Sequence, residues 1–257
     1  MPTSKCRWRT PLRSMSLVAL TTVAACTSLP ASSPITRGGA ELGPAKGILA
    51  KHRSFVEAEK IAKVRQVWFA PVVFGPDAAS SPEALATVAN AAARAVCIEI
   101  EDRFEIVDAP GPDVLEIRLQ LTQVRENNTA AAAAAMLLPV RAPIGLGSLT
   151  AEAEAVFAGQ DKPVAAMIWA RRADPVFTGA RPSKIGDAYE LAQEFGGGFG
   201  ELLAKAANTR KRSESNEEPC HRFGRPRVGA IALEMLGVSL PPSVKDDPPV
   251  ERSKHPR

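Results

Sequence analysis

The sequence predicts an α+β domain: a mainly antiparallel sheet of four to five strands, with a mixed sheet as the alternative, and two helices packed on one face. Three observations carry this. The run "DVLEIRLQLTQV" alternates without a fault, placing Leu115, Ile117, Leu119 and Leu121 on one side and Glu116, Arg118, Gln120 and Thr122 on the other. Two further alternating runs, "SLTAEAEAVFAG" and "PVAAMIWARRAD", flank the turn "GQDK". Residues 82–102 and 187–206 instead space their apolar side chains at helical intervals.

The elements follow in order. Residues 1–25 hold Lys5, Arg7, Arg9 and Arg13 without a carboxylate, then an apolar run from Met15 to about Val23. That is the pattern of an export signal, and it is too short to span a bilayer. Those four cations equal the whole formal charge of +4; without them 28 basic side chains face 28 acidic ones, so no basic field for nucleic acid remains. Residues 26–46 are rich in Ser, Pro and Gly and read as a flexible tether. "ILAKHRSFVEAEKIAKV" reads as a short helix or as a segment lying over the domain.

In "KVRQVWFAPVVF", Val67 and Phe69 alternate into Pro71, which predicts a strand ending at the proline and a loop after it. Ser81, Pro82 and Glu83 form a helix start, and Leu85, Val88, Ala92 and Val96 share one face of the helix that follows. "FEIVD", the turn "APGP" and "DVLEIRLQLTQV" then read as a hairpin. In the second hairpin Glu152 and Glu154 point outward, and Val164, Ala166 and Ile168 share a face. Ala188, Leu191, Phe195, Phe199 and Leu202 make the last helix amphipathic. Glycine costs about 1 kcal/mol in a helix interior, so this helix is expected to bend or break at Gly196–Gly198. The single α+β domain thus covers 47–208. The apolar segment 129–149, interrupted by Pro139, Arg141 and Pro143, reads as an insert packed on the domain, and 209–257 as a mostly disordered, basic, Pro-rich tail.

Catalytic chemistry is hard to find. The histidines are His52, His221 and His255, so residues 53–208 hold no imidazole for a nucleophile–base couple or a zinc site. Cys97 on the amphipathic helix reads as a free core cysteine, with a Cys97–Cys220 disulfide as the alternative. "GGGFG" lacks the strand, the lysine and the spacing of a phosphate loop. Ser183 beside Lys184 lacks the context of a catalytic pair, and Glu101 with Asp102 reads as a solvated helix end. The best small polar site is the group Arg171, Arg172, Asp174, Lys184 and Asp187, set against a simpler reading as surface ion pairs and helix capping. No cofactor or metal motif stands out.

Two resemblances sharpen the reading. Val23-Ala24-Ala25-Cys26 resembles the lipobox of bacterial lipoproteins, which implies a mature chain beginning at a lipidated Cys26. Thr27 in place of an aspartate implies the outer membrane, facing the periplasm. The segments "VWFAPVVF", "IEDRFEIVDAPGPDVLEIRLQLTQV", "VRAPIGLGSLTAEAEA" and "AAMIWARRAD" with "IGDAYELAQEFGGGFGELL" together resemble the bacterial lipoproteins grouped as domain of unknown function 3313, over about residues 45–207. That resemblance implies an envelope lipoprotein and transfers no catalytic residue. The triple glycine and the tail after Arg210 depart from the family pattern. The expectation is a non-enzymatic envelope lipoprotein whose partners are the membrane, through Cys26, and an unidentified envelope protein. A periplasmic carrier or sensor of a small ligand is the alternative.

Overall fold

The structure, a computed structural model, describes residues 42–128, 146–173, 184–207 and 218–224. Its elements are β1 (Lys51–Val56), α1 (Ala58–Ile61), β2 (Gln66–Phe69), β3 (Val73–Ala78), α2 (Pro82–Ile100), β4 (Glu105–Val107) and β5 (Val114–Arg125). Then come β6 (Ser148–Phe157), β7 (Ala165–Arg172), α3 (Gly186–Ala206) and a short 3-10 turn, Pro219–Phe223. The strands form one sheet in the order β1-β7-β6-β5-β2-β4, with β3 beside β5.

The class is α+β, but among the described residues the sheet has seven strands rather than four to five, and it is mixed, the alternative to a mainly antiparallel one. Antiparallel pairing joins β1, β7, β6 and β5, while β2 pairs parallel with both β4 and β5. β4 and β5 are therefore no hairpin, because β2 lies between them. Strands lie about 4.8 Å apart, so residues 108–113 carry the chain across two strand spacings. Pairing also resumes after Pro71. Ala70 N–H still donates to Ile117 O at 2.9 Å, and β3 then rejoins the same edge of β5 at Val73–Gln120. Gly75 permits this approach, since a Cβ there would stand 2.8 Å from Thr122 O. The strand therefore ends before Pro71 as expected, but Val73–Ala78, expected as loop, forms a further strand on β5.

The amphipathic helix begins as expected: Ser81 Oγ accepts from Ala84 N–H at 3.2 Å, with Pro82 and Glu83 in the first turn. One face of the sheet (Leu115, Ile117, Leu119, Leu121, Ala153, Met167, Trp169) meets Val88, Ala92 and Val96 of α2 and Leu191, Phe195, Phe199 and Leu203 of α3. Trp169 and Phe195 pack with ring centroids 6.0 Å apart. On the opposite face Leu42 covers Ala166 and Ile168 beside Phe55. The domain therefore takes in Leu42–Lys46, which composition assigned to the tether. Glu152 points away from the helices, as its alternation requires, yet is only 1% exposed. β6 is central in the sheet, with Gln120 and Ile168 opposite that position on its two neighbours.

Helix α3 does not break; it runs continuously through Gly196–Gly198. The reason is its crossing with α2. A Cβ on Gly196 would lie 2.2 Å from Ala92 O, and one on Gly200 would lie 2.5 Å from Glu99 Cβ. Two glycines four apart let the helix backbones meet, and the packing gained offsets their poor helical propensity.

Cys97 is not a free thiol. It forms a disulfide with Cys220 across a separation of 123 residues, with a Cα–Cα distance of 5.7 Å. The chain segment 218–224 is thereby held on the domain rather than belonging to a loose tail. Phe223 adds an edge-to-face contact with Phe69, centroids 4.9 Å apart. Arg222 pairs with Asp108 and donates to Val107 O, and Arg94 donates to Gly224 O and Tyr189 Oη. Of the expected insert 129–149, residues 129–145 lie outside the described residues, as does the chain beyond Gly224, while 146–149 lead into and begin β6.

Candidate functional site

Cys26, the residue that the leader singles out, lies outside the described residues, as does Asp174. Among the described residues no hydrogen bond or ion pair joins Arg171 and Arg172, at the end of β7, to Lys184 or Asp187. Arg171, at the end of β7, forms an ion pair with Glu194 of α3. Lys184 is exposed and contributes its carbonyl, which accepts from Asn127 N–H at 2.7 Å.

Asp187 is the member with a built environment. It stands in the first turn of α3, where the helix dipole favours a carboxylate, and is 1% exposed. Its Oδ2 accepts from Gly147 N–H at 2.9 Å, while Gly147 O accepts from Ala173 N–H at 3.0 Å. Gly147 has no room for a side chain: a Cβ would sit 2.5 Å from Asn127 Oδ1 and 2.9 Å from Asp187 Cβ. The junction thus ties the ends of β5, β6 and β7 to the start of α3. Among the described residues, the buried side-chain atoms without a hydrogen-bond partner are Oδ1 of Asp187, Oδ1 of Asn127 and Nε of Arg171. Asn127 and Gly147 were missed in the sequence because neither belongs to a motif. Only the backbone geometry at the strand ends marks them.

The face of the sheet opposite α2 and α3 carries a charged ladder. Arg118 donates through Nε and Nη2 to both oxygens of Glu116 at 2.9 Å, and through Nη1 to Glu154 at 3.2 Å. Those hydrogen bonds, first to Glu116 and then to Glu154, raise the guanidinium pKa above its ordinary value against the lowering effect of burial. The three side chains are 15–42% exposed, so this is a preorganised charged surface facing solvent. It offers hydrogen bonding to a partner, with both carboxylates already paired to the guanidinium.

Among the described residues, one cluster has the reach to ligate a metal: Cys97, Glu101 and Cys220, whose potential ligand atoms lie within 4.8 Å of one another. Its two sulfurs are joined in the disulfide, which uses up their lone-pair chemistry as thiolates. His221 pairs with Glu218 on the 3-10 turn, and His52 lies on β1. "GGGFG" is a helix crossing, not a phosphate cradle. No helix among the described residues is long and apolar enough to cross a membrane.

Comparison with known proteins adds a family and little else. Residues 40–199 match the family described as "Protein of unknown function (DUF3313)". No curated protein matches the sequence. Among solved structures, a PelC dodecamer from Paraburkholderia phytofirmans is similar at 8% identity and a TM-score of 0.41, covering 61% of this chain and 98% of the other. A point variant of the same protein gives 10% identity and a TM-score of 0.40 at the same coverage.

Proposed function

The chain belongs to the DUF3313 family, and on that premise we propose that it is an exported envelope lipoprotein, anchored through lipid on Cys26, whose domain binds another envelope component and catalyses no reaction. The observation that carries the reading is the Cys97–Cys220 disulfide. Disulfides between distant elements persist in oxidising compartments and are rare in the cytosol. The disulfide joins α2 to the 3-10 turn, whereas the lipobox stands in the leader, so two unrelated features agree on export. Thr27 favours delivery to the outer membrane, with the domain in the periplasm.

The surface offered to a partner is the sheet face opposite α2 and α3, around Glu116, Arg118 and Glu154. Its charges are already paired and oriented, so binding orders few side chains. One acyl chain gives only marginal membrane affinity, and stable anchoring takes a second. A Cys26→Ser chain should therefore leave the membrane fraction of the cell and appear in the soluble one. Full retention in the membrane would overturn the anchor.

A further inference from the structure

Between Leu42 and β1 the chain makes a tight loop that holds two aliphatic side chains out in water. Lys46 and His52 close it with reciprocal hydrogen bonds, Lys46 N–H to His52 O at 2.8 Å and His52 N–H to Lys46 O at 3.0 Å. Gly47 has a φ of +89°, and a Cβ there would stand 1.8 Å from Ala50 O, so the turn requires glycine and is fixed in shape. At its tip Ile48 is 95% exposed and Leu49 44% exposed. Isolated surface aliphatics need no explanation, but here two adjacent ones crown a rigid turn, flanked by Lys46 and Lys51.

Apolar side chains between cations match the boundary of an anionic bilayer, where the aliphatics enter the acyl region and the ammonium groups remain among the headgroups. Position agrees with chemistry. Fifteen residues separate Cys26 from Leu42, so the loop is close in sequence to the proposed anchor. The loop lies only a few residues beyond Leu42, where the described chain begins. We propose that the Ile48–Leu49 tip is a membrane-contact site that seats on an anionic phospholipid surface and sets the orientation of the domain, a proposal that rests on the Cys26 anchor.

The test uses the full lipidated chain in phosphatidylethanolamine–phosphatidylglycerol vesicles. An Ile48→Trp variant is compared with the parent and with Ile98→Trp, which places an indole at an exposed position on α2. The expected result is a blue-shifted added emission at position 48, quenched about twofold or more by lipids brominated in the acyl chains, because an interfacial group sits about 5–10 Å deep. The position 98 variant should stay unquenched. A chain that floats with the vesicles while the indole at 48 emits as in water overturns the tip contact and leaves the anchor standing. A chain that does not float overturns both. A blue shift already present without vesicles points to a protein or a second copy at the tip, and also overturns the lipid assignment.

Discussion

Replacing Gly196 with valine should destabilise the domain by about 3 kcal/mol or more, lowering the melting temperature by roughly 6–12 °C. The cause is steric. The first carbon of the new side chain would be 2.2 Å from Ala92 O and 2.9 Å from Ala95 Cβ, so α2 and α3 must separate along a crossing that closes the core. Backbone is the obstacle, and no side-chain rotation relieves it. The neighbouring glycines provide the opposite sign. Ideal Cβ atoms on Gly197 and Gly198 meet nothing within 4 Å. Alanine at either should stabilise by about 0.5–1 kcal/mol through helix propensity and loss of unfolded-state freedom. Thermal melts of the three variants check the sign pattern: one falling and two rising locates the helix contact on Gly196.

Removing the disulfide by the paired change Cys97→Ala and Cys220→Ala should cost about 4 kcal/mol, or roughly 10 °C. A cross-link over some hundred residues removes that much freedom from the unfolded chain. The separation here is 123 residues, and Cys97 is fully buried, so the lost sulfur contacts add to the effect. The change should be local as well as global. Without the cross-link, segment 218–224 is held by the Phe69–Phe223 contact, the Arg222 pair with Asp108 and the Arg94 hydrogen bond. Tryptic cleavage at Arg222 should therefore speed up well below the melting temperature. A variant with the parent melting temperature and unchanged cleavage would show that the cross-link does not hold this segment.

The legible parts of the fold were those whose pattern is local and whose environment is one-sided. The alternation of β5 from Leu115 to Thr122, ahead of a bulge at Leu121–Gln123, reflects a strand with a core face and a charged face, and Ser81-Pro82-Glu83 marks a helix start by backbone chemistry alone. What escaped depends on partners distant in sequence. Gly75 and Pro76 make β3 a poor strand by propensity, and it forms because the edge of β5 accepts it. The insertion of β2 between β4 and β5 is invisible to periodicity, because parallel and antiparallel neighbours demand the same alternation. Gly196 looked like a helix breaker until the backbone of α2 stood against it. The disulfide needed the spatial meeting of Cys97 and Cys220, which spacing cannot supply. At the candidate site, Asp187 was named but its partners Gly147 and Asn127 were not, for the same reason.

The central claim is export followed by lipidation, and the mass of the mature N-terminal peptide from membrane-purified protein tests it most directly. The account predicts a chain beginning at Cys26 whose first residue carries acyl chains on sulfur and on the amino group. A membrane-derived chain that retains residues 1–25, or begins at another residue with Cys26 unmodified, would contradict it.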